Sequence, residues 1–185
     1  MNKTIKDNLR EIRKEFFAFR NGIVADKLRK AGDPHPVIMG CLLVDVQAIA
    51  QRTREAIDDP ATLARELWAD TNSRECRLAA PMFYPPDQMP LEEAMQWCQS
   101  VETVEVADNL CHKLLRHIPD ADALWRQLIV KKDTLVRYTG YRLLMNLLLL
   151  NKVERTPQLK AAIQTEADNS PADIAVLIAE ILEDF

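Results

Sequence analysis

The sequence predicts an all-α protein, and three observations carry that expectation. Glycine is scarce, at 4 of 185 residues, so the turns that an all-β chain requires are missing. Aromatic residues make up only 6%, while Leu, Ala, Glu, Arg and Lys, the good helix formers, dominate. Apolar residues also recur at spacings of three and four along most of the chain, which is the signature of helices with one buried face. A chain of 185 residues, 48% of them apolar, suits a single domain over residues 1–185 that buries roughly two thirds of its unfolded surface.

The first helix is expected over residues 3–30. Ile5, Leu9, Ile12, Phe16 and Phe19 draw its stripe, Phe17 and Ala18 widen it, and Asn21-Gly22 breaks or bends it. Gly32, followed by Pro34 and Pro36, ends it. A second helix runs from Val37 or Leu43 to Glu55, with Val46, Ile49 and Ala50 inward. Asp58-Asp59-Pro60 reads as a cap with proline in the first turn, and helices follow at 61–70 and 72–84. Pro85-Pro86 through Pro90 makes the next break, before a short helix at 91–100. Ala107, Leu110, Cys111, Leu114, Leu115 and Ile118 form the cleanest stripe, on a helix over 103–118. Pro119-Asp120 ends that helix and caps the next, at 121–131. A helix over 133–151 starts at the Asp133 cap and is nearly apolar all round from Leu143, with Asn146 its only polar member there, so it is expected at the centre. Thr156-Pro157 and Ser170-Pro171 open the last two helices, at 156–167 and 171–183. Nine or ten short helices on tight turns favour antiparallel neighbours, stacked in pairs or closed as a bundle. The spacing, near 35–40 residues and irregular, leaves both open.

No secretory leader is read at the start, because Lys3, Lys6, Arg10 and Arg13 are interspersed with acids and no apolar run follows. The most apolar stretch, Leu143 to Leu150, is far shorter than the roughly 20 residues that span a bilayer. Cys41, Cys76, Cys98 and Cys111 lack C-x-x-C spacing and read as reduced core thiols, which places the protein in the cytoplasm. Cys98, Cys111, His112 and His117 do not make a metal set, since adjacent helix positions diverge by about 100°. No metal or other cofactor is expected. The net charge of −4 is strongly segregated. Residues 1–30 and 113–155 each carry nine cations against four acids. Residues 87–108 carry six acids and no cation, and residues 160–185 carry six acids against one lysine. A local basic surface can therefore meet a polyanion despite the acidic total.

There is no phosphate loop, no G-x-S-x-G and no H-E-x-x-H. Three histidines leave little room for a Ser/His or Cys/His system: His35 lies in a turn between two prolines, and His112 and His117 lie on the polar side of the 103–118 helix, so all three read as surface residues. Trp68, Trp97 and Trp125 sit on apolar helix faces and read as core.

Four segments, in order, are similar to motifs of the HEAT-like alkylpurine DNA glycosylases. Asp45-Val46-Gln47-Ala48-Ile49-Ala50-Gln51 resembles that family's leucine-arginine-x-isoleucine-alanine-lysine helix. Glu66-Leu67-Trp68, followed by Arg74-Glu75-Cys76-Arg77-Leu78-Ala79-Ala80, resembles its glutamate-leucine-tryptophan and glutamate-x-arginine-x-x-alanine pair. Val104-Glu105-Val106-Ala107-Asp108 stands in the place of its tryptophan-aspartate-x-valine-aspartate motif, and Leu135-Val136-Arg137-Tyr138-Thr139-Gly140 in that of tryptophan-x-arginine-arginine-threonine-alanine. The resemblance covers residues 40–150, and only the Glu66–Ala80 segment is specific.

It implies a solenoid of HEAT-like repeats with a concave basic groove for duplex DNA, and excision of alkylated purines. In that reaction a carboxylate steadies the oxocarbenium-like sugar, and aromatic rings flank the cationic base. Carried over by position, Asp108 is the carboxylate, Glu105 stands at the motif's first aspartate, and Arg137 is the phosphate-contacting arginine. Lys131, Lys132, Arg142 and Tyr138 extend the same DNA-binding edge. Thr103 and Val104 replace the paired tryptophans, and no tryptophan follows Trp125, so excision is expected to be weak or absent. Other readings stay open. Asp108 and His112 have the spacing of an i,i+4 helix pair, and Arg137–Tyr141 and Tyr138–Arg142 have that of a guanidinium stacked on a ring. The alternative partner to DNA is a basic protein meeting the acidic stretches, with the helices as a scaffold, and an active glycosylase that pairs Asp108 with a different aromatic, Tyr138 or Tyr141, is the third reading.

Overall fold

Proline, glycine and short polar residues set the helix ends, as their backbone preferences require. The computed structural model describes residues 4–167 and 170–185, and among these it has eleven α-helices and no strand, only an isolated parallel bridge between Val37 and Ser73. The chain divides into two compact units, Met1–Gln88 and Met89–Phe185, at the proline-rich break near residue 86.

In the first unit, α1 (Ile5–Ala18) opens on a capping box in which Thr4 and Asp7 satisfy each other's backbone N–H groups. The expected start at residue 3 lies outside the described residues. Asn21 then accepts from the N–H groups of Ile23 and Val24, so the single helix expected over 3–30 is two, with α2 at Gly22–Lys30. The side-chain cap is a better partner for those amides than a continued helix, because glycine follows it. Next come α3 (Leu43–Arg54), α4 (Pro60–Ala69, capped by Asp59) and α5 (Arg74–Phe83, capped by Ser73). α5 packs on α3 and α4, and α1 covers α3 and α4, enclosing Ile12, Phe16, Leu63, Leu67, Leu78 and Phe83.

The specific Glu66–Ala80 segment turns out to be structural. Glu75 is fully buried, and its carboxylate accepts from the backbone N–H groups of Met39 (3.1 Å), Gly40 (2.9 Å) and Cys41 (3.3 Å) and from the guanidinium of Arg74 (3.0 Å). Arg74 also donates to the Cys41 carbonyl, at 3.2 Å. One helix turn away, the Arg77 guanidinium lies 3.6 Å from the Trp68 ring centroid and donates to the Trp68 carbonyl. The Glu75 and Arg74 bonds hold the loop between α2 and α3 against α5, and the Arg77 contact ties α5 to α4. Gly40 is required there: its φ is +76°, and a Cβ would sit 2.2 Å from the Asn21 carbonyl oxygen. His35 corrects the surface expectation. The loop turns it inward, where it is 5% exposed and its Nδ1 lies 2.6 Å from the Asp33 carboxylate.

In the second unit, α6 (Leu91–Gln99) and α7 (Val104–Lys113) lead to a 3-10 turn at Leu115–His117. The helix expected over 103–118 thus ends early. Its last turn tightens to i,i+3 bonds, such as His117 N–H to the Leu114 carbonyl at 2.9 Å, and Leu114, Leu115 and Ile118 all still reach the core. α8 (Ala121–Leu128) follows, with Asp120 at the N-cap position but making no side-chain bond to the helix. α9 (Thr134–Leu149) is capped by Asp133, which accepts from the Val136 N–H at 2.9 Å. α10 (Pro157–Ala167) and α11 (Ala172–Glu183) complete the unit. α9 touches α6, α7, α8 and α11, the central position its apolar sequence demands. Trp68, Trp97 and Trp125 are all buried. No helix among the described residues is long and apolar enough to cross a membrane.

Removing one partner of a buried ion pair strands the other, at a cost of about 3–5 kcal/mol. Glu75→Ala leaves the Arg74 charge without its counter-ion and three loop amides without the carboxylate they bond. It is therefore expected to lower the denaturant-derived stability by that amount, whereas loss of the exposed Glu15 partner of Arg52 costs below about 1 kcal/mol. Equal effects would refute the role given to Glu75.

Candidate nucleic-acid interface

α9 presents different residues to its two sides, because Arg137 and Arg142 are five positions, about 140° of helix, apart. On the side toward α7, Tyr138 and Arg142 lie one turn apart and meet Asp108. The Asp108 Oδ1 accepts from the Tyr138 hydroxyl at 2.9 Å and from the Arg142 Nε at 2.8 Å, and its Oδ2 accepts from the Arg142 Nη2 at 3.0 Å. This is a fork-on-fork pair with a phenol added, and both charged side chains are about 30% exposed, at 28% for Arg142 and 31% for Asp108. Burial, the Asp108 charge and its hydrogen bond together hold the Tyr138 phenol well above the usual tyrosine range. Asn146 donates to the Arg142 carbonyl at 2.8 Å, one turn further on.

The pairings expected from spacing alone are thus redirected. Asp108 bonds across to α9 rather than along its own helix to His112. The guanidinium-over-ring contacts among the described residues are Arg20–Phe17, Arg65–Tyr84, Arg77–Trp68 and Arg126–Trp125, so neither α9 pair stacks. Glu105, in the first turn of α7, is half-buried. Thr103 is the α7 N-cap, its hydroxyl accepting from the Val106 N–H, and Val104 is 42% exposed, so neither supplies a ring beside Asp108.

On its other side, α9 helps line a cavity of about 1150 Å³ with α8 and α10. Arg126 of α8, Lys131 and Lys132 of the α8–α9 connection, Arg137 of α9 and Lys152 after it contribute five cations to the lining. Asp122, Glu154 and Glu166 contribute three carboxylates, so the balance is positive. The apolar floor includes Ile129, Tyr141 and Ile163. Arg137 donates to the Ser170 hydroxyl at 3.0 Å and lies 3.4 Å from the Glu166 carboxylate. Lys152 donates to the Arg116 carbonyl at 2.7 Å, and Arg126 pairs with Asp122 at 3.1 Å while lying over the Trp125 ring.

The seven site residues singled out from the sequence therefore fall into groups. Asp108, Tyr138 and Arg142 come together on the α7 side. Lys131, Lys132 and Arg137 line the cavity, and Glu105 stays on α7, one turn before Asp108. Sequence reading missed Arg126 and Lys152, whose cationic character was visible but whose convergence depends on the α8–α9 and α9–α10 connections. It also missed Gly140. A Cβ there would lie 2.8 Å from the Leu128 Cβ and 2.9 Å from the Ile129 Cγ2, so glycine lets α8 close on α9 and shape the cavity.

The Tyr138 phenol holds its proton more tightly folded than unfolded. The stability it contributes is complete below about pH 10, the ordinary tyrosine value, and is lost as pH rises through the higher folded value. Tyr138→Phe is expected to lower stability by about 1 kcal/mol at neutral pH. It should also make the decline of the unfolding midpoint above about pH 10 shallower than in the parent. A parent-like alkaline slope in the variant would contradict the bond to Asp108.

The model of the DNA alkylation repair enzyme family matches residues 12–182. A solved structure described as belonging to a new family of proteins related to the HEAT-like repeat DNA glycosylases, with affinity for branched DNA structures, superposes with a TM-score of 0.78. It covers 95% of this chain and 74% of that one, at 16% sequence identity. No protein of curated function matches the sequence. The likeness in structure establishes an all-α fold of HEAT-like repeats, and the match over residues 12–182 shows that the chain belongs to the DNA alkylation repair enzyme family.

Proposed function

We propose that this family member binds duplex DNA through the basic groove of its second unit and excises alkylated purines weakly or not at all. The observation that carries the binding half is the convergence of Arg126, Lys131, Lys132, Arg137 and Lys152 on one cavity. Lysine and arginine side chains spread along such an edge meet phosphate oxygens without reading base sequence, and their contribution comes from displaced counterions. Affinity for branched DNA, attributed to the structurally similar family, supports a DNA partner for this chain as well.

The weak-excision half follows from the state of Asp108. A carboxylate stabilises a developing sugar cation most when its own charge is uncompensated and water is excluded. Here Arg142 already balances that charge in a two-point pair, and Tyr138 takes a further lone pair. Thr103 and Val104 add no aromatic wall to hold a cationic base. A glycosylase reading needs Asp108 released from both partners, whereas the binding reading, which rests on the groove on the other side of α9, leaves the pair undisturbed.

Duplex affinity is expected to fall steeply with salt. Lys131→Glu combined with Lys132→Glu should weaken binding and reduce the slope of log K against log salt by about 1.8, at about 0.9 per phosphate contact. No duplex binding at about 50 mM salt, or a double variant that binds like the parent, would sink the proposal. In a second assay, release of methylated purine from alkylated duplex should remain within about tenfold of the protein-free rate, a difference of about 1.4 kcal/mol in the barrier. Asp108→Asn should leave it there. Robust release by the parent that Asp108→Asn abolishes would overturn the weak-excision half alone.

A further inference from the structure

The outward face of α1 carries a feature that the duplex reading does not use. At about 100° per residue, Lys6, Arg10, Arg13, Lys14 and Phe17 fall within a stripe about 100° wide and about 17 Å long. All five are exposed, and they lie opposite the buried stripe of Leu9, Ile12 and Phe16. The helix's three acids, Asp7, Glu11 and Glu15, form a row along one edge of this stripe rather than within it: Asp7 pairs with Arg10 at 3.3 Å, and Glu15 is turned toward α3, where it pairs with Arg52. Arg13 is held by Asp70 at 2.8 Å, so its charge is matched and it serves as a wall of the face, leaving Lys6, Arg10 and Lys14 to meet an anion.

Phe17 is the unusual member. A phenylalanine 57% exposed on a polar face gains nothing from the core, yet its orientation is set: the Arg20 guanidinium lies 4.1 Å from the ring centroid and donates to the Phe17 carbonyl at 2.9 Å. Beside it, Arg10, Arg13, Lys14, Phe17 and Met39 line a shallow recess of about 420 Å³. A positive track with an exposed ring in it is the chemistry that receives single-stranded nucleic acid, because phosphates follow the cations and an unstacked base lies on the ring. An intact duplex keeps its bases stacked on one another, so an exposed ring on a helix surface finds a free base face most readily where a strand is single. An acidic peptide would use the cations and leave the ring idle.

We propose that this face of α1 binds a single-stranded nucleic-acid segment, with one base resting on Phe17 and the adjacent phosphates met by Lys14, Arg10 and Lys6. It shares with the duplex reading only the class of partner, and its residues belong to the first unit alone.

The test uses the full chain with a labelled thymine oligonucleotide of about 12 nucleotides and, separately, a blunt duplex. Phe17→Ala is expected to weaken oligonucleotide binding about 5- to 150-fold, the value of one stacked base, and to leave duplex affinity unchanged. Arg10→Glu combined with Lys14→Glu should reduce the single-strand salt slope by about 1.4, at about 0.7 per contact. Phe17→Trp should keep the affinity and show quenching of the new indole on binding. Arg10, Lys14 and Phe17 are all exposed, so these variants should fold as the parent does, which thermal unfolding checks. No oligonucleotide binding, Phe17→Ala binding like the parent, or displacement of the oligonucleotide by polyglutamate at equal charge concentration would each overturn the inference. If the Lys131/Lys132 variant loses duplex binding while Phe17→Ala changes nothing, this inference falls and the duplex reading stands. If oligonucleotide binding depends on Phe17 but no duplex binding is found, the reverse holds.

Discussion

Glu75 occupies a position in which a carboxylate has no water and no freedom. It is fully buried near the N-terminus of α5, and three consecutive backbone amides of the 39–41 loop and one guanidinium point at it. Desolvating such a charge is expensive unless its lone pairs are filled, so carboxylate and loop stabilise each other only when both are in place. Gly40 is needed because the loop passes too close to Asn21 for any side chain, and Asn21 caps α2. The Cys41 thiol donates to the Phe16 carbonyl at 3.1 Å, and burial with the Glu75 charge pushes it up to about 12, so it stays protonated. The end of α1, the start of α2 and the α3–α5 contact thus all depend on one buried acid. The segment most like the glycosylase family therefore carries architecture rather than chemistry.

In the second unit, α9 does the comparable organising. Its helical period sends Tyr138 and Arg142 to one side and Arg137 and Tyr141 to the other. Gly140 between them admits α8 at a separation that a methyl group would prevent. The two sides differ in electrostatic state. Toward α7 the charges are matched one to one and bonded at 2.8–3.0 Å. Around the cavity, cations outnumber carboxylates five to three. A matched pair stabilises helix contacts and has little field left for a ligand, whereas an unmatched set keeps a field that a polyanion can satisfy.

Much of the fold was legible in the chain because helix ends are local events. Asp59 and Asp133 cap where short polar side chains precede apolar periodicity, and each makes the expected bond to the backbone, while Asn21, expected only to break or bend the first helix, caps α2. Where reading failed, the cause was not local. The helix expected to reach residue 118 gives way at Leu114 because a 3-10 turn also delivers Leu115 and Ile118 inward. His35, flanked by prolines, looked like a surface turn, but the loop that carries it is drawn inward by bonds to α5 some forty residues away.

The same division holds for the candidate site. The sequence by itself determined the all-α class, the positions of the breaks, the basic stretches at 1–30 and 113–155, and the family likeness, because composition and spacing of three and four are properties of the chain. Only the tertiary structure decided which charges act in pairs and which act on the surroundings. Asp108 could bond to His112 on its own helix or to a partner elsewhere, and spacing cannot choose between them. The choice falls to Arg142 and Tyr138, thirty residues and more away in sequence, because α7 packs against α9 and a two-point guanidinium bond is stronger than an exposed i,i+4 contact.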